Sequence, residues 1–176
     1  MPFTPLHMGP GLAFKAVGGR HFSVLVFGIA QVIIDIEPLI GMVTGAEVLH
    51  GWTHSYFGAT FLGLLSMLLA PPLCRPILAR WNSELGHHRL GWLGSPPEIG
   101  LLPVATGAFV GTYSHVVLDS IMHVDMKPFF PWSAANDLHG FISISVLHSV
   151  CVVAGFIGVA AWLVTGLRRR RQTREG

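Results

Sequence analysis

The chain has 176 residues, of which 51% are hydrophobic and only 11% are charged. An average soluble domain is about 25% charged, so this composition, together with a mean hydropathy of +0.58, excludes an ordinary soluble domain. The formal net charge is only +2, and ten histidines outnumber the nine Asp and Glu residues. The composition therefore predicts an integral membrane protein that contacts membrane lipids.

The first part of the chain is predicted to contain a short helix and one apolar run. Residues 6–17 are consistent with a short amphipathic helix that Gly18 and Gly19 end. The apolar run 22–34 follows and leads into Asp35-Ile36-Glu37-Pro38. Proline disfavours a continuing helix, so residues 39–49 are predicted to be a connection. Residues 6–34 thus form either one span or a re-entrant hairpin.

Three longer apolar runs follow. The run 56–70 is predicted to end at Pro71-Pro72, and residues 73–98 to form a polar linker. The run 99–118 is long enough to span a bilayer, and the run 141–167 is the longest. We therefore predict an all-α integral membrane bundle of about four transmembrane helices, preceded by the short amphipathic or re-entrant helix.

The basic residues predict how the chain is oriented. Five arginines lie between residues 168 and 174, directly after an apolar run. Such a cluster can bind nucleic acid or anionic lipid, but beside a membrane helix it is typical of a cytoplasmic flank. We therefore expect no nucleic-acid partner, one transmembrane domain over residues 1–167 and a basic cytoplasmic tail over 168–176. A topology of four spans with both termini in the cytoplasm places every Lys and Arg residue except Lys127 on the cytoplasmic side.

A stripe of metal-binding side chains ends the third run. His115, Asp119 and His123 recur at steps of four residues, which places them on one face of an α-helix. Ionisable groups at this depth in a membrane are costly and usually functional. The stripe is therefore the strongest candidate for a functional site.

Other acids and histidines are predicted to reach the same layer. Asp35 and Glu37 follow the first run, and His50 and His54 precede the second, so all four lie at outer helix ends in the predicted topology. Histidine nitrogen with carboxylate oxygen is a ligand set that Zn²⁺ prefers and that Mn²⁺ or Fe²⁺ also accepts. The candidates outnumber the four ligands of one zinc, which leaves room for two metals or for supporting roles.

Structural explanations exist for each residue taken singly. Asp35 and Glu37 could cap a helix junction, His50 could be a loop histidine, and Thr53 could cap a helix that contains His54. The predicted convergence of these acids and histidines at one depth in the membrane favours a metal site. A spare carboxylate, for which we choose Glu37, would then be the general base toward a metal-activated water.

Four motifs resemble a known family. They are Thr4-Pro5-Leu6-His7, Asp35-Ile36-Glu37, His50-Gly51-Trp52-Thr53-His54-Ser55, and Ser114-His115 with Asp119. Their order resembles that of the bacterial membrane-bound metal-dependent hydrolases over roughly residues 1–123. Glu37 stands where that family has Asp, and the Arg of its His-Arg-Gly motif is missing.

The resemblance implies a hydrolase of the bacterial inner membrane and adds His7 to the candidate ligands. We expect an ester or phosphoester substrate, small or lipid-like, because the site is predicted near the membrane surface. The alternative from another functional class is a divalent-metal or proton-coupled transporter that uses the same residues. A haem or structural metal protein with His115 and His148 as axial ligands is a third possibility.

Overall fold

A computed structural model describes residues 5–175 of the chain, including their side chains apart from those of residues 169 and 173–175. Thr4 of the first motif lies outside the described residues. Within them there are six α-helices and no strand, as the predicted all-α fold requires. The helices are α1 (Met8–Gly18), α2 (Val24–Ile34), α3 (Ile36–Thr44), α4 (Tyr56–His87), α5 (Leu101–Met122) and α6 (Ile144–Glu175).

Within residues 5–175, four helical segments are long and apolar enough to cross a membrane. They are Val24–Thr44, which joins α2 and α3, then Tyr56–His87, Leu101–Met122 and Ile144–Gln172. Many of their large apolar side chains point outward, for example Leu68, which is 74% exposed, and Phe156, which is 73% exposed. Such outward apolar faces are expected where lipid replaces water. The prediction of about four membrane-spanning helices is confirmed.

The first two helices form an antiparallel hairpin. A side chain at Gly11 would meet Phe27, and one at Gly28 would meet Met8, so the arms run side by side in opposite directions. The turn is closed by Lys15, whose Nζ donates to the carbonyl oxygens of Gly19 and Phe22 across 2.7 Å each. The hairpin alternative for residues 6–34 is therefore the one that the structure adopts.

The hairpin changes the predicted placement of the chain ends. Leu6 packs with Leu147, near the start of α6, whereas Gly166, near the end of α6, lies against Trp92. Residues 5–7 and the arginine tail therefore lie at opposite ends of the bundle. The prediction that both termini lie on one side is wrong, because α1 and α2 form a hairpin that begins and ends at the same end of the bundle.

Helix α4 continues well beyond its predicted end. It includes Pro71, Pro72 and Pro76 and ends only at His87, so most of the predicted linker 73–98 is helical. Prolines remove helical N–H donors, but packing against neighbouring helices can offset that loss. Here Ala70, Cys74 and Leu78 are buried in a core with residues of α2 and α5.

The break after the first run lies at Asp35 instead of Pro38. Asp35 ends α2 and precedes α3, with φ −76° and ψ −5°. Pro38 is the third residue of α3, in the first turn, where a helical N–H has no partner to lose. Residues 39–44, predicted to be a connection, are therefore helical.

The centre of the bundle is formed by α2, α4 and α5. At one end, Ile34, Ala59 and Val116 are fully buried against one another with Met126. Gly107 and Gly111 of α5 face the backbone of α2, so those two helices approach closely. This close packing holds the last turn of α2, the start of α4 and the last turns of α5 in one layer.

Candidate metal centre

Four buried side chains converge in that layer. Asp35, His54, His115 and Asp119 each offer one ligand atom, and these atoms all lie within 4.8 Å of one another. Their exposed fractions are 4%, 0%, 1% and 4%. Three separate segments supply them: the α2–α3 junction, the turn before α4 and the last turns of α5.

The spacing of the four ligand atoms suits a metal ion. The Nε2 atom of His115 lies 3.3 Å from Oδ1 of Asp35 and 3.1 Å from Oδ2 of Asp119. The Nε2 atom of His54 lies 3.9 Å and 3.8 Å from the same two oxygens. Ligands about 2.1 Å from a tetrahedral metal are roughly 3.4 Å apart, so these distances bracket that value.

Local structure explains how His54 reaches the layer. Residues Trp52–His54 form one 3₁₀ turn, and Ser55 caps α4 by accepting a hydrogen bond from the Gly58 N–H at 3.1 Å. The Ser55 hydroxyl also donates to the Trp52 carbonyl at 2.7 Å. A side chain at Gly58 would collide with the Trp52 carbonyl, so this tight entry into α4 requires glycine.

Gln31 holds the outer nitrogen of His115, which is Nδ1, the ring nitrogen that points away from the carboxylates. Gln31 Nε2 donates to the Gly111 carbonyl at 3.1 Å and lies 3.4 Å from the Ser114 hydroxyl, which orients the amide. Its Oε1 is then the acceptor that faces Nδ1 of His115, 2.5 Å away. The proton of a neutral His115 ring is therefore on Nδ1, and the lone pair of Nε2 faces the two carboxylates.

A chain of two hydrogen bonds holds Nδ1, the outer nitrogen of His54. The Thr53 hydroxyl donates to Oε2 of Glu37, so its oxygen accepts from Nδ1 of His54 at 3.1 Å. Glu37 Oε2 also accepts from the Gly51 N–H at 3.1 Å. Glu37 thus lies on the outer side of His54, 3.5 Å from Nδ1. This contact orients the ring and leaves Nε2 for the centre.

His50 has the same arrangement with Asp125. Its Nδ1 lies 3.0 Å from both carboxylate oxygens of Asp125. Oδ2 of Asp125 also accepts from the backbone N–H groups of Leu49 and His50. Burial opposes ionisation, but the hydrogen bonds from His50 keep the pKa of Asp125 below its usual value. The Nε2 atom of His50 lies 3.8 Å from Oδ2 of Asp119.

The donor set fits a cation. Among the described residues, Nε2 of His54 and Nε2 of His115 have no hydrogen-bond partner, although carboxylate oxygens lie within 4 Å. Two lone pairs facing carboxylates repel unless a positive charge lies between them. Burial lowers the pKa of His54, but the nearby carboxylates of Asp35 and Glu37 outweigh it and raise that pKa, so the pocket favours positive charge. A divalent ion satisfies all four atoms.

His7 reaches this centre, as the family resemblance implied. It precedes α1, and its Nε2 lies 3.8 Å from Oδ1 of Asp119 while its ring meets His115 edge-on at 5.1 Å between centroids. Burial lowers the pKa of His7 to about 4, against the opposing charge of Asp119. The ring is therefore neutral at pH 7 and can act as a ligand.

His123 lies beside the centre, but it is not on the helix face that it was predicted to share with His115 and Asp119. It follows the last residue of α5 with an extended backbone, φ −115° and ψ 126°, so the four-residue spacing no longer applies. Its ring stacks on His50 with 4.3 Å between centroids. His50, His123 and Asp125 form a second group whose ligand atoms lie within 4.8 Å of one another.

Two residues that complete the site were not predicted. Gln31 is the one strongly polar residue in the first apolar run and lies four residues before Asp35, a spacing that shares a helix face. Asp125 lies two residues after His123. Both signals are present in the sequence, but an amide and a loop carboxylate indicate a metal site more weakly than histidines and acids at helix ends.

Comparison with known proteins adds no relative: no family model, no curated protein and no solved structure matches the chain. The resemblance to the bacterial membrane-bound metal-dependent hydrolases therefore stays a prediction. The helices are those of a multi-pass membrane protein, and the buried His/Asp cluster can hold a metal ion. A more specific function has to come from the geometry of these residues.

Proposed function

We propose that the protein is a metal-dependent hydrolase of the bacterial inner membrane that cleaves an ester or phosphoester. One observation carries the proposal: three histidines have their outer nitrogens held by Gln31, by the Thr53–Glu37 pair and by Asp125. Their inner nitrogens are thereby directed toward Asp35 and Asp119. Partners of this kind orient metal ligands and fix their tautomers in metalloenzymes.

Asp35, His54, His115 and Asp119 are the proposed ligands, with His7 beside them. Nitrogen and carboxylate donors favour Zn²⁺, with Mn²⁺ or Fe²⁺ as alternatives. A divalent metal bound there would supply a Lewis acid that activates water and polarises an ester or phosphoester. The two carboxylates offset the charge of the ion, and the buried surroundings exclude competing solvent.

His50 is the residue with the geometry of a general base. Asp125 holds its Nδ1 at 3.0 Å, which leaves Nε2 able to accept a proton on the side of Asp119. A histidine oriented by a carboxylate is a recurring proton acceptor in hydrolysis. We therefore propose His50 for the role expected of Glu37. Glu37 itself positions His54 through Thr53.

The surroundings of the site favour an amphiphilic substrate. The side chains of Glu37 and Asp125 are 27% and 30% exposed, so they mark the approach from the surface to the buried donors. Trp52 and Trp132, which are 44% and 78% exposed, lie in adjoining segments at this end of the bundle. Exposed tryptophans are typical of the membrane interface, where the polar part of a lipid-like ester is also found.

A transporter is the competing function for the same donors, because their near-complete burial would also suit an occluded cation. Secondary transporters usually bind their cargo near the bilayer midplane, between repeated halves. Here Asp119 lies three residues before the end of α5, and the sequence has no internal repeat. Both features favour the hydrolase.

The test uses purified full-length protein with its metal content measured. We expect bound Zn²⁺, Mn²⁺ or Fe²⁺ and hydrolysis of at least one member of a panel of short-chain and long-chain esters and phosphoesters. The double variant His87→Ala, His88→Ala is the control, because both residues are exposed and follow one another at the end of α4. Metal-loaded protein that hydrolyses nothing, while vesicles containing it accumulate Zn²⁺ or Mn²⁺, would establish the transporter.

A further inference from the structure

A second cavity lies at the other end of the bundle. It has a volume of about 700 Å³ and lies under the turn of the α1–α2 hairpin, between α4, the start of α5 and the middle of α6. Pro103 lines it, and Asp119 is sixteen residues further along α5. At 1.5 Å of rise per residue, the cavity is roughly 24 Å from the candidate metal centre.

The cavity exists because the hairpin is short. Its two arms, α1 and α2, have 11 residues each, whereas α5 has 22 and α4 has 32. An arm of that length extends roughly 16 Å, and the turn residue His21 lies beside Thr106, the sixth residue of α5. The hairpin turn therefore stops inside the bundle and leaves space below it among the longer helices.

Hydrogen bonds fix the walls of this space. The Thr106 hydroxyl on α5 donates to the His21 carbonyl across 2.5 Å, which holds the hairpin turn in place. On the opposite wall, the side chain of Asn82 on α4 donates to the Ser95 carbonyl and accepts from the Ser95 N–H, at 2.7 Å and 3.1 Å. The cavity is thus a built feature of the fold.

The charges on the walls point to an anionic occupant. Arg20 is exposed on the lining, and its Nε donates to Nε2 of His21 at 3.3 Å. No carboxylate among the described residues lies within ion-pair distance of its guanidinium, and Glu98 is the acidic residue elsewhere on the lining. Arg20 lies outside the four spanning segments and is exposed, so its guanidinium is available to an anionic group.

The remaining lining residues suit a lipid. Trp81 and Trp162 lie on the walls, as aromatic residues do in a membrane-interface belt, and Leu12, Ile77 and Val159 supply apolar surface. Basic pockets between transmembrane helices commonly bind anionic head groups. A free anion would use Arg20 but leave the apolar wall without a partner.

We propose that this cavity binds an anionic phospholipid from the adjacent leaflet. Its phosphate pairs with Arg20, and one acyl chain lies along the apolar wall of α4 and α6. The lipid completes the bundle where the hairpin falls short and compensates the charge of Arg20. This binding is independent of the proposed hydrolysis and does not require a metal.

The experiment measures lipid retention by native mass spectrometry. Detergent-solubilised full-length protein is mixed with equal amounts of dioleoylphosphatidylglycerol and dioleoylphosphatidylcholine. We expect wild-type protein to retain the anionic lipid about fivefold more than the zwitterionic one, the factor for one basic residue near the surface. Arg20→Gln should bring that ratio close to one. Equal retention of both lipids by wild-type protein would overturn the proposal.

Two further variants separate a specific site from general charge or misfolding. Arg80→Gln removes an exposed arginine that pairs with Glu84 at 3.2 Å at the same end of the protein but does not line the cavity, so it should keep the wild-type ratio. Val159→Trp fills the cavity and should lower the retention of both lipids. Arg20→Gln protein that keeps its anionic preference, while remaining helical and monodisperse, would contradict the role of Arg20.

Discussion

Gln31 and His115 connect α2 to α5 through one hydrogen bond, in which Nδ1 of His115 donates to Oε1 of Gln31 across 2.5 Å. The same amide donates to the Gly111 carbonyl, so its orientation follows from the backbone of α5. Because the ring is held from outside, Nε2 is available to the carboxylates at 3.1 Å and 3.3 Å. This relation between an amide and a histidine can be tested directly.

Gln31→Leu should weaken metal binding by about 10–100-fold, the usual effect of losing a partner behind a ligating histidine. Gln31→Glu should retain more affinity, because a carboxylate oxygen still accepts from Nδ1. Metal affinity is measured by competition with a chromogenic chelator. Equal affinities in wild type and Gln31→Leu would show that His115 does not bind metal through Nε2.

Replacing the inner donors should remove the metal. The triple variant His54→Ala, His115→Ala, Asp119→Ala is expected to insert into the membrane but to retain less than stoichiometric metal, measured by elemental analysis. The control is again His87→Ala with His88→Ala, which should keep the wild-type content. Wild-type metal content in the triple variant would show that these residues have only a structural role.

His50→Gln should separate binding from catalysis. If His50 is the general base, turnover falls by about 10²–10⁴-fold while metal content stays near that of wild type. Asp125→Asn should slow turnover by a smaller factor, since the ring keeps a hydrogen-bond partner. If metal content falls together with turnover in His50→Gln, the residue is a ligand, and the group His50, His123 and Asp125 becomes a second metal site.

The hairpin predicts where the chain ends lie relative to the membrane. A tag before Met1 and a tag in the segment 45–49 should be accessible from the same side, because Pro5–His7 and Asp35 lie at one end of the bundle. A reporter after Gly176 should be on the opposite side, which we expect to be the cytoplasm. Both termini on one side would contradict the hairpin in the membrane.

Gly158→Ala should destabilise the fold by roughly 1–3 kcal/mol, the typical cost of overpacking. A Cβ there would overlap the backbone of Leu12, which packs α1 on α6. Gly86→Ala is the matched control, since Gly86 lies inside α4 and an added Cβ would meet no other atom within 4 Å. That control should be neutral or slightly stabilising because alanine favours the helix. The two variants are compared by thermal unfolding in detergent.

The apolar runs and the positions of Asp35, His54, His115 and Asp119 were sufficient to predict the membrane helices and the centre of the site. The errors share one cause, which is that tertiary packing overrides local signals. Pro71 and Pro72 are predicted to end a helix. Instead α4 continues past both prolines, because its buried face packs against neighbouring helices. Pro38 was expected to break α2, yet it lies in a first turn where proline is tolerated.

The hairpin and the outer partners depended on contacts distant in sequence. The distribution of basic residues favoured a cytoplasmic N-terminus, because it assigns Lys15 to a flank. In the fold Lys15 donates to two carbonyls at the hairpin turn, so its charge is partly compensated inside the bundle. His50 and Asp125 are 75 residues apart, and nothing in the local pattern around either residue predicts that pair.

The hairpin also sets the order in which the site can be completed during synthesis. His7 and Asp35 emerge from the ribosome early, whereas Asp119 emerges only after most of the chain has been synthesised. At about 5–20 residues per second, the interval is roughly 6–22 s. During it, Asp35 has neither His115 nor α5 beside it, although it already lies on an apolar segment bound for the bilayer. Membrane insertion of the first hairpin is therefore expected to be incomplete or reversible until later helices are made, and nascent chains that end before α4 begins at Tyr56 should remain extractable at alkaline pH.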